Sequence, residues 1–207
     1  MPLNARKSAQ GFELMFCVHF LANRLLLQRW LDDGVIPIRP QQPPRVIFVS
    51  SEAHQSSDPI DFNHFAAFNH YGMKEGMKYY GLSKLHLTTF AKELSRRLNN
   101  KNHVNVAVHA LCPGPINSNI ARESPAFIKP ILSPIMKLLF RSPEKAAEPV
   151  IYLACAPEME KRSGVYLHMM KEKAVSPLAS NSQNGQTLWQ LSETLLEQYQ
   201  HEEMECL

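Results

Sequence analysis

Glycine is in short supply in this sequence. Eight glycines occur in 207 residues, beside 15 prolines, where average usage near 7% would give about 14. They stand at positions 11, 34, 72, 76, 81, 114, 164 and 185, and no two are spaced G-x-G. Both glycine-rich phosphate cradles, G-x-G-x-x-G and G-x-x-x-x-G-K-[ST], are therefore absent from it. The four cysteines, at 17, 112, 155 and 206, form no C-x-x-C and no compact disulfide frame, so a reducing compartment with packed thiols is expected. Nine histidines are scattered without H-E-x-x-H or a tight His/Cys group, and no metal site is predicted. Lys+Arg 22 against Asp+Glu 19 gives a net charge of +3, dispersed and too small to imply nucleic acid.

Long apolar runs are missing too. Nothing reaches the ~18 consecutive apolar residues of a membrane-spanning helix, and no apolar stretch precedes Phe12 to make a signal peptide. The nearest candidate, Pro125 to Phe140, is broken by Lys129, Lys137 and prolines. It is expected to form an apolar flap over a binding site rather than a membrane-surface contact, because its prolines prevent one continuous amphipathic helix. The expected localisation is cytoplasmic, or peripheral to an intracellular membrane.

What is present is an alternation of helix and strand patterns. From Phe12 to Leu31 the apolar residues recur mostly at three- and four-residue steps, with Gly34 just beyond, which predicts a long helix with a large buried face. After a Pro/Gln connector, Arg45-Val-Ile-Phe-Val49 followed by Ser50-Ser51 describes a strand buried on both faces. A polar loop from Glu52 leads to a helix over about Met77 to Asn99, where Leu87, Phe90, Ala91, Leu94 and Leu98 share a face. His103 to Leu111 alternates like a strand and closes on the Pro113-Gly114 turn. Ser142-Pro143-Glu144 opens a helix towards Cys155, in which Pro149 is expected to introduce a kink or delay the start. A short strand, Gly164 to Met169, and a last helix, Thr187 to Gln200, follow. One α/β domain over residues 1–207 is predicted, with about three parallel strands and helices on both faces.

Tyr80 and Lys84 lie four apart at the start of the strongest helix and so share a face. A lysine charge stabilises phenolate, so the pair can serve as a general acid/base; a plain surface pair has the same spacing. Ser50-Ser51 ends a buried strand, where α/β folds place their ligand crevice.

With Gln10 to Leu14, Val46 to Ser51 plus Ala53-His54, Tyr80 to Lys84, Leu111 to Ser118, and Leu188 to Ser192, the sequence resembles the short-chain dehydrogenase/reductase family. The likeness is to its retinol dehydrogenase and WW-domain oxidoreductase branch. The resemblance implies a Rossmann-like doubly wound parallel sheet, NAD or NADP as cofactor, and a lipophilic alcohol or carbonyl, retinoid- or steroid-like, as substrate. It implies that Tyr80 exchanges the substrate proton, that Lys84 lowers the Tyr80 pKa and holds the nicotinamide ribose, and that Ser51, with Ser50 as fallback, bonds the substrate oxygen. Pro113, Gly114, Ile116 and Ser118 would border the nicotinamide. The helices after Gly11 and Tyr80 would build a homo- or hetero-oligomer interface.

Two departures from the family pattern stand out. His19 falls where the family usually has a relay asparagine; a modified relay and a packed histidine are both open. The chain also begins where the family's glycine-rich cofactor-binding units would already be finished, and the first strand, without a neighbour, is expected to present an open apolar edge. An oxidoreductase short of dinucleotide-binding structure is the leading expectation. A non-catalytic protein that pairs with a full-length relative through those helices is the alternative.

Overall fold

The computed structural model describes residues 4–39, 41–100, 103–116 and 141–205. Ser118 and the expected flap at 125–140 lie outside the described residues. The chain forms an α/β fold around a four-stranded sheet of order β1-β2-β3-β4: β1 is Arg45–Val49, β2 Ala107–Cys112, β3 Tyr166–His168 and β4 Lys171–Glu172. β1, β2 and β3 are parallel, in the register Val46 to Val108 and Ala110 to Tyr166, while β4 turns back antiparallel on β3. This two-residue strand is an addition to the expected three.

All six residues of β2 are buried, as expected of a strand covered on both faces. Val108, Ala110 and Cys112 point into the larger cluster, and Leu111 into a smaller one with Leu153, Met159, Val165 and Leu167. The strand begins at Ala107, four residues later than the alternation of His103 to Leu111 suggests. Asn99 is the reason: its Oδ1 accepts from the Asn105 and Val106 N–H at 2.7 and 3.1 Å, and its Nδ2 donates to the Val106 carbonyl at 2.9 Å. One side chain thus captures the backbone groups that a ladder would have used. His109 is not the polar-out residue of the alternation. It is buried, neither ring nitrogen has a hydrogen-bond partner, and burial foremost, with the Arg45 and Arg162 charges, lowers its pKa to about 4 and keeps it neutral.

The first helix, α1, runs in three stretches: α-helical Leu14–Phe16, a π-helical turn at Cys17–Leu21, and α-helical Ala22–Asp32. Glu13 caps its start, accepting from the Phe16 N–H at 2.7 Å, and Gly34, at φ +67°, stands just past its end. Helix α2, Gly76–Leu98, lies close to the predicted span. Its Phe90 touches three other elements, with ring centroids 5.9 Å from Phe20 of α1, 5.7 Å from Phe48 of β1 and 5.7 Å from Trp189. Arg24 is buried with its guanidinium 4.0 Å over the Trp189 ring, a stacked position for which a planar cation is suited.

Helix α3, Pro143–Cys155, is capped by the Ser142 hydroxyl, which accepts from the Lys145 N–H. It starts where the cap predicts; Pro149 sits inside it and does not delay it. The short helix α4, Pro177–Ser180, precedes α5, Ser182–Glu205. α5 starts five residues before the predicted Thr187, because Asn181 Oδ1 accepts from the Gln183 and Asn184 N–H at 2.8 and 3.2 Å. β1 is an edge strand, as expected, with Val49 48% exposed. Among the described residues no helix is long and apolar enough to cross a membrane.

One glycine sets the distance between helix and sheet. A Cβ on Gly81 would lie 2.9 Å from the Ala53 carbonyl oxygen, a backbone atom that cannot turn away. Gly→Ala inside a helix ordinarily stabilises by about 0.5–1 kcal/mol. At Gly81 the sign is expected to reverse: Gly81→Ala should lower stability by about 1–3 kcal/mol, read from the midpoint of urea unfolding, and a stabilised variant would contradict this close approach.

Candidate active site

The C-terminal ends of β1 and β2 and the first two turns of α2 converge on one crevice edge. β1 delivers Ser50 and Ser51. β2 delivers Cys112, Pro113 and Gly114. α2 lays Tyr80 and Lys84 alongside, held close by Gly81.

The two serines separate cleanly. Ser50 is buried, and its hydroxyl lies 2.6 Å from Thr88 Oγ1; since Thr88 donates to the Lys84 carbonyl at 2.8 Å, Ser50 donates to Thr88. Its hydroxyl is thus taken up in packing. Ser51 caps the 3₁₀ turn Glu52–Ser56, accepting from the Ala53 N–H at 3.3 Å, and lies near enough to the Tyr80 phenol to lower its pKa. Of the two serines, Ser51 rather than Ser50 is the one that acts on the phenol.

Lys84 is buried, and its ammonium donates to the Val49 carbonyl at 3.0 Å. It lies 5.8 Å from the Tyr80 ring centroid. Burial pulls its pKa down to about 8. Burial foremost pushes the Tyr80 phenol above its ordinary value, and Ser51 pulls it back. The Lys84 ammonium is turned to the strand carbonyl.

His19 sits in the π-helical turn, the kind of helix irregularity frequent at functional sites. Its Nδ1 is 2.9 Å from Ser83 Oγ, and Ser83 donates its own proton to the Tyr80 carbonyl at 2.8 Å. Nδ1 therefore carries the proton and donates to Ser83, which leaves Nε2 as an acceptor. Burial, then the nearby Lys84 charge, lowers the His19 pKa to about 4, so the ring is neutral near pH 7. It stands edge-on to Tyr80 at 5.8 Å between centroids.

On the β2 side Pro113 is buried and Ile116 half-buried. Ile116 bridges in parallel to Arg141. Gly114 adopts φ +83°, and a Cβ there would meet Met169 Cγ at 3.1 Å; this close backbone turn needs glycine on both counts. Sequence reasoning passed over three groups. Cys112, read as a packed thiol, is buried at the end of β2, next to Pro113. Glu52, beside the serine, accepts from the Tyr166 hydroxyl at 2.9 Å and from Lys173. His54 bonds the Ser51 carbonyl; its spacing of three from the serine was the available signal. No group of three or more metal-ligating side chains occurs among the described residues.

The lysine makes the electrostatics measurable. In the unfolded chain Lys84 titrates near 10.4, so between pH 8 and that value the unfolded state holds the proton more tightly. This group should therefore add stability as pH rises through the window. A ¹⁵Nζ titration of Lys84 should show a midpoint near 8, and the pH-dependent gain should vanish in Lys84→Met; a midpoint at the ordinary lysine value would contradict the buried placement.

No protein-family model matches the chain. Mouse retinol dehydrogenase 13 is 37% identical over 191 residues, covering 90% of this chain and 54% of that protein. Human retinol dehydrogenase 14 is 33% identical, covering 92% and 54%, and the WW domain-containing oxidoreductase of Pongo abelii is 32% identical, covering 91% and 44%. The chain spans about half the length of these curated relatives. Among solved structures, an uncharacterized protein from Mycobacterium paratuberculosis shares the fold with a TM-score of 0.65 at 21% identity, over 95% of this chain and 63% of that one. The angucycline C-6 ketoreductase LanV, solved with bound NADP, shares it with a TM-score of 0.51 at 20% identity, over 81% and 57%. With the parallel sheet, the serine at the end of β1, and the tyrosine and lysine one helical turn apart on α2, these likenesses lead to one conclusion: the chain belongs to the short-chain dehydrogenase/reductase family.

Proposed function

We propose that this chain carries the catalytic half of an NAD(P)-dependent oxidoreductase acting on a lipophilic alcohol or carbonyl. The observation that carries the reading is the convergence of Ser51, the Tyr80 phenol and the buried Lys84 ammonium, 5.8 Å from the Tyr80 ring, at the end of β1. Relatives named as retinol dehydrogenases support a lipophilic, retinoid- or steroid-like substrate.

In this reading Ser51 donates to the substrate oxygen and orients it against the Tyr80 hydroxyl. Tyr80 gives its proton to a carbonyl oxygen or takes one from an alcohol. The raised pKa keeps Tyr80 protonated, which suits the acid direction until a bound cation lowers it. Lys84 is placed to turn from the Val49 carbonyl to ribose hydroxyls. His19, neutral and with Nε2 as acceptor, is placed to extend the proton path through a water. The bound nicotinamide would supply or accept the hydride. The residues fit its nicotinamide end, because the left-handed Gly114 turn gives close backbone approach next to Pro113 and Ile116. They do not provide a glycine-rich turn for the pyrophosphate, so binding by this chain alone is expected to be weak. Titration with NADH and NADPH, followed by nicotinamide fluorescence, should saturate in the millimolar range. Tyr80→Phe should leave that binding intact and cut turnover of a lipophilic aldehyde by about 10²–10⁴-fold. Absence of binding at millimolar cofactor would sink the autonomous enzyme.

A second reading, pairing with a full-length relative or another copy, is favoured by the outer face of α1, where Val18, Leu26 and Trp30 are 54%, 44% and 41% exposed. Contiguous apolar exposure of this kind marks association surfaces. Light scattering should show a dimer that Leu26→Asp with Trp30→Glu dissociates; a monomer at all concentrations, with no capture by retinol dehydrogenase 13, would refute pairing.

A further inference from the structure

His54 is wholly buried, yet both of its ring nitrogens are engaged by backbone. Nδ1 lies 2.6 Å from the Ser51 carbonyl oxygen, and the Ser176 backbone N–H donates to Nε2 at 3.3 Å. A carbonyl can only accept and an amide N–H can only donate, so the two contacts fix the tautomer: the proton is on Nδ1 and the lone pair on Nε2. The ring also packs edge-on against Tyr166 at 5.0 Å. The Ser51 carbonyl takes a second bond from the His54 N–H at 3.3 Å, which closes the turn.

The residues around His54 tie the same turn to the same distant segment. Glu52 is held by Tyr166 and Lys173, with His168 at 3.6 Å, and Gln55 donates to the Ala174 carbonyl at 2.8 Å. The turn after β1 is thus fastened to residues 166–176, while its first residue, Ser51, faces Tyr80.

We propose that His54 is a positioning residue for the serine. As the Nδ1–H tautomer it locks the Ser51 carbonyl to the backbone that opens α4, and this fixes the direction of the Ser51 hydroxyl towards Tyr80. The proposal rests on the Ser51–Tyr80 assignment of the proposed function. Burial lowers the His54 pKa, which keeps the ring in the neutral form that both contacts require.

Two measurements on the full chain test it without calling on turnover. Imidazole ¹⁵N spectra of the unaltered protein, with His54 assigned by its loss in His54→Gln, should show Nδ1 protonated and Nε2 bare; an Nε2–H tautomer overturns the proposal. The Tyr80 phenol, followed through its ¹³Cζ shift, reports the serine, which lowers its pKa. Ser51→Ala should therefore reduce the ionised fraction of Tyr80 at pH 10.5. His54→Phe, which keeps the ring volume, should reproduce that shift. His54→Asn, whose amide N–H replaces Nδ1–H on the Ser51 carbonyl, should restore the original titration. If Ser51→Ala shifts Tyr80 and His54→Phe does not, the positioning role is wrong and the site reading stands. If Ser51→Ala itself leaves Tyr80 unmoved, the Ser51–Tyr80 assignment fails and the His54 proposal with it.

Discussion

Everything in the crevice depends on how near α2 can come to the turn after β1. At Gly81 the helix and the Ala53 carbonyl are separated by less than a side chain's width. The tyrosine just before Gly81 and the lysine three residues after it are the groups that meet the end of β1. A helix set further out would leave Ser51 and Tyr80 with solvent between them, and would leave Lys84 short of the Val49 carbonyl. The chemistry is therefore a product of backbone proximity first and of side-chain identity second. The same turn is gripped from its other side by Tyr166, Lys173 and Ser176, so the serine lies between two supports.

Behind the site, Phe90 makes that proximity durable. Its contacts with Phe20, Phe48 and Trp189 join α1, β1 and α5 to the helix that carries the tyrosine. An aromatic hub of this kind fixes the axial position of α2, since sliding the helix by one residue would break three ring contacts together. Arg24 over Trp189 extends the hub with a buried cation that stacks on the indole, donates to Gln28 at 2.7 Å and pairs with Glu193 at 3.5 Å, while its Nε and Nη2 lack a hydrogen-bond partner.

The sequence made visible the parts whose pattern is local. The apolar spacing of α2, the run Val46 to Val49, the Ser142-Pro143 cap and the Tyr80/Lys84 pair depend on neighbours a few residues apart, and each stands close to where it was expected. The hidden parts depend on partners far along the chain. Asn99 delays β2 by capturing the backbone at 105 and 106, His109 is buried because α3 closes over that face, and His54 finds its second partner 122 residues away. The direction of the Lys84 ammonium depends in the same way on a partner outside its helix, the Val49 carbonyl 35 residues back.

That carbonyl is the last of β1, the open-edged strand of the sheet. Because Lys84 rests its charge there, the lysine acts as a clasp on the end of the edge strand. The pairing with β2 sets the strand's register, and the Lys84 bond ties the end of that strand to α2. Whatever pairs with the free edge of β1 and draws that carbonyl aside would unlatch the ammonium, so the outer margin of the sheet and the reacting groups form a single mechanical unit.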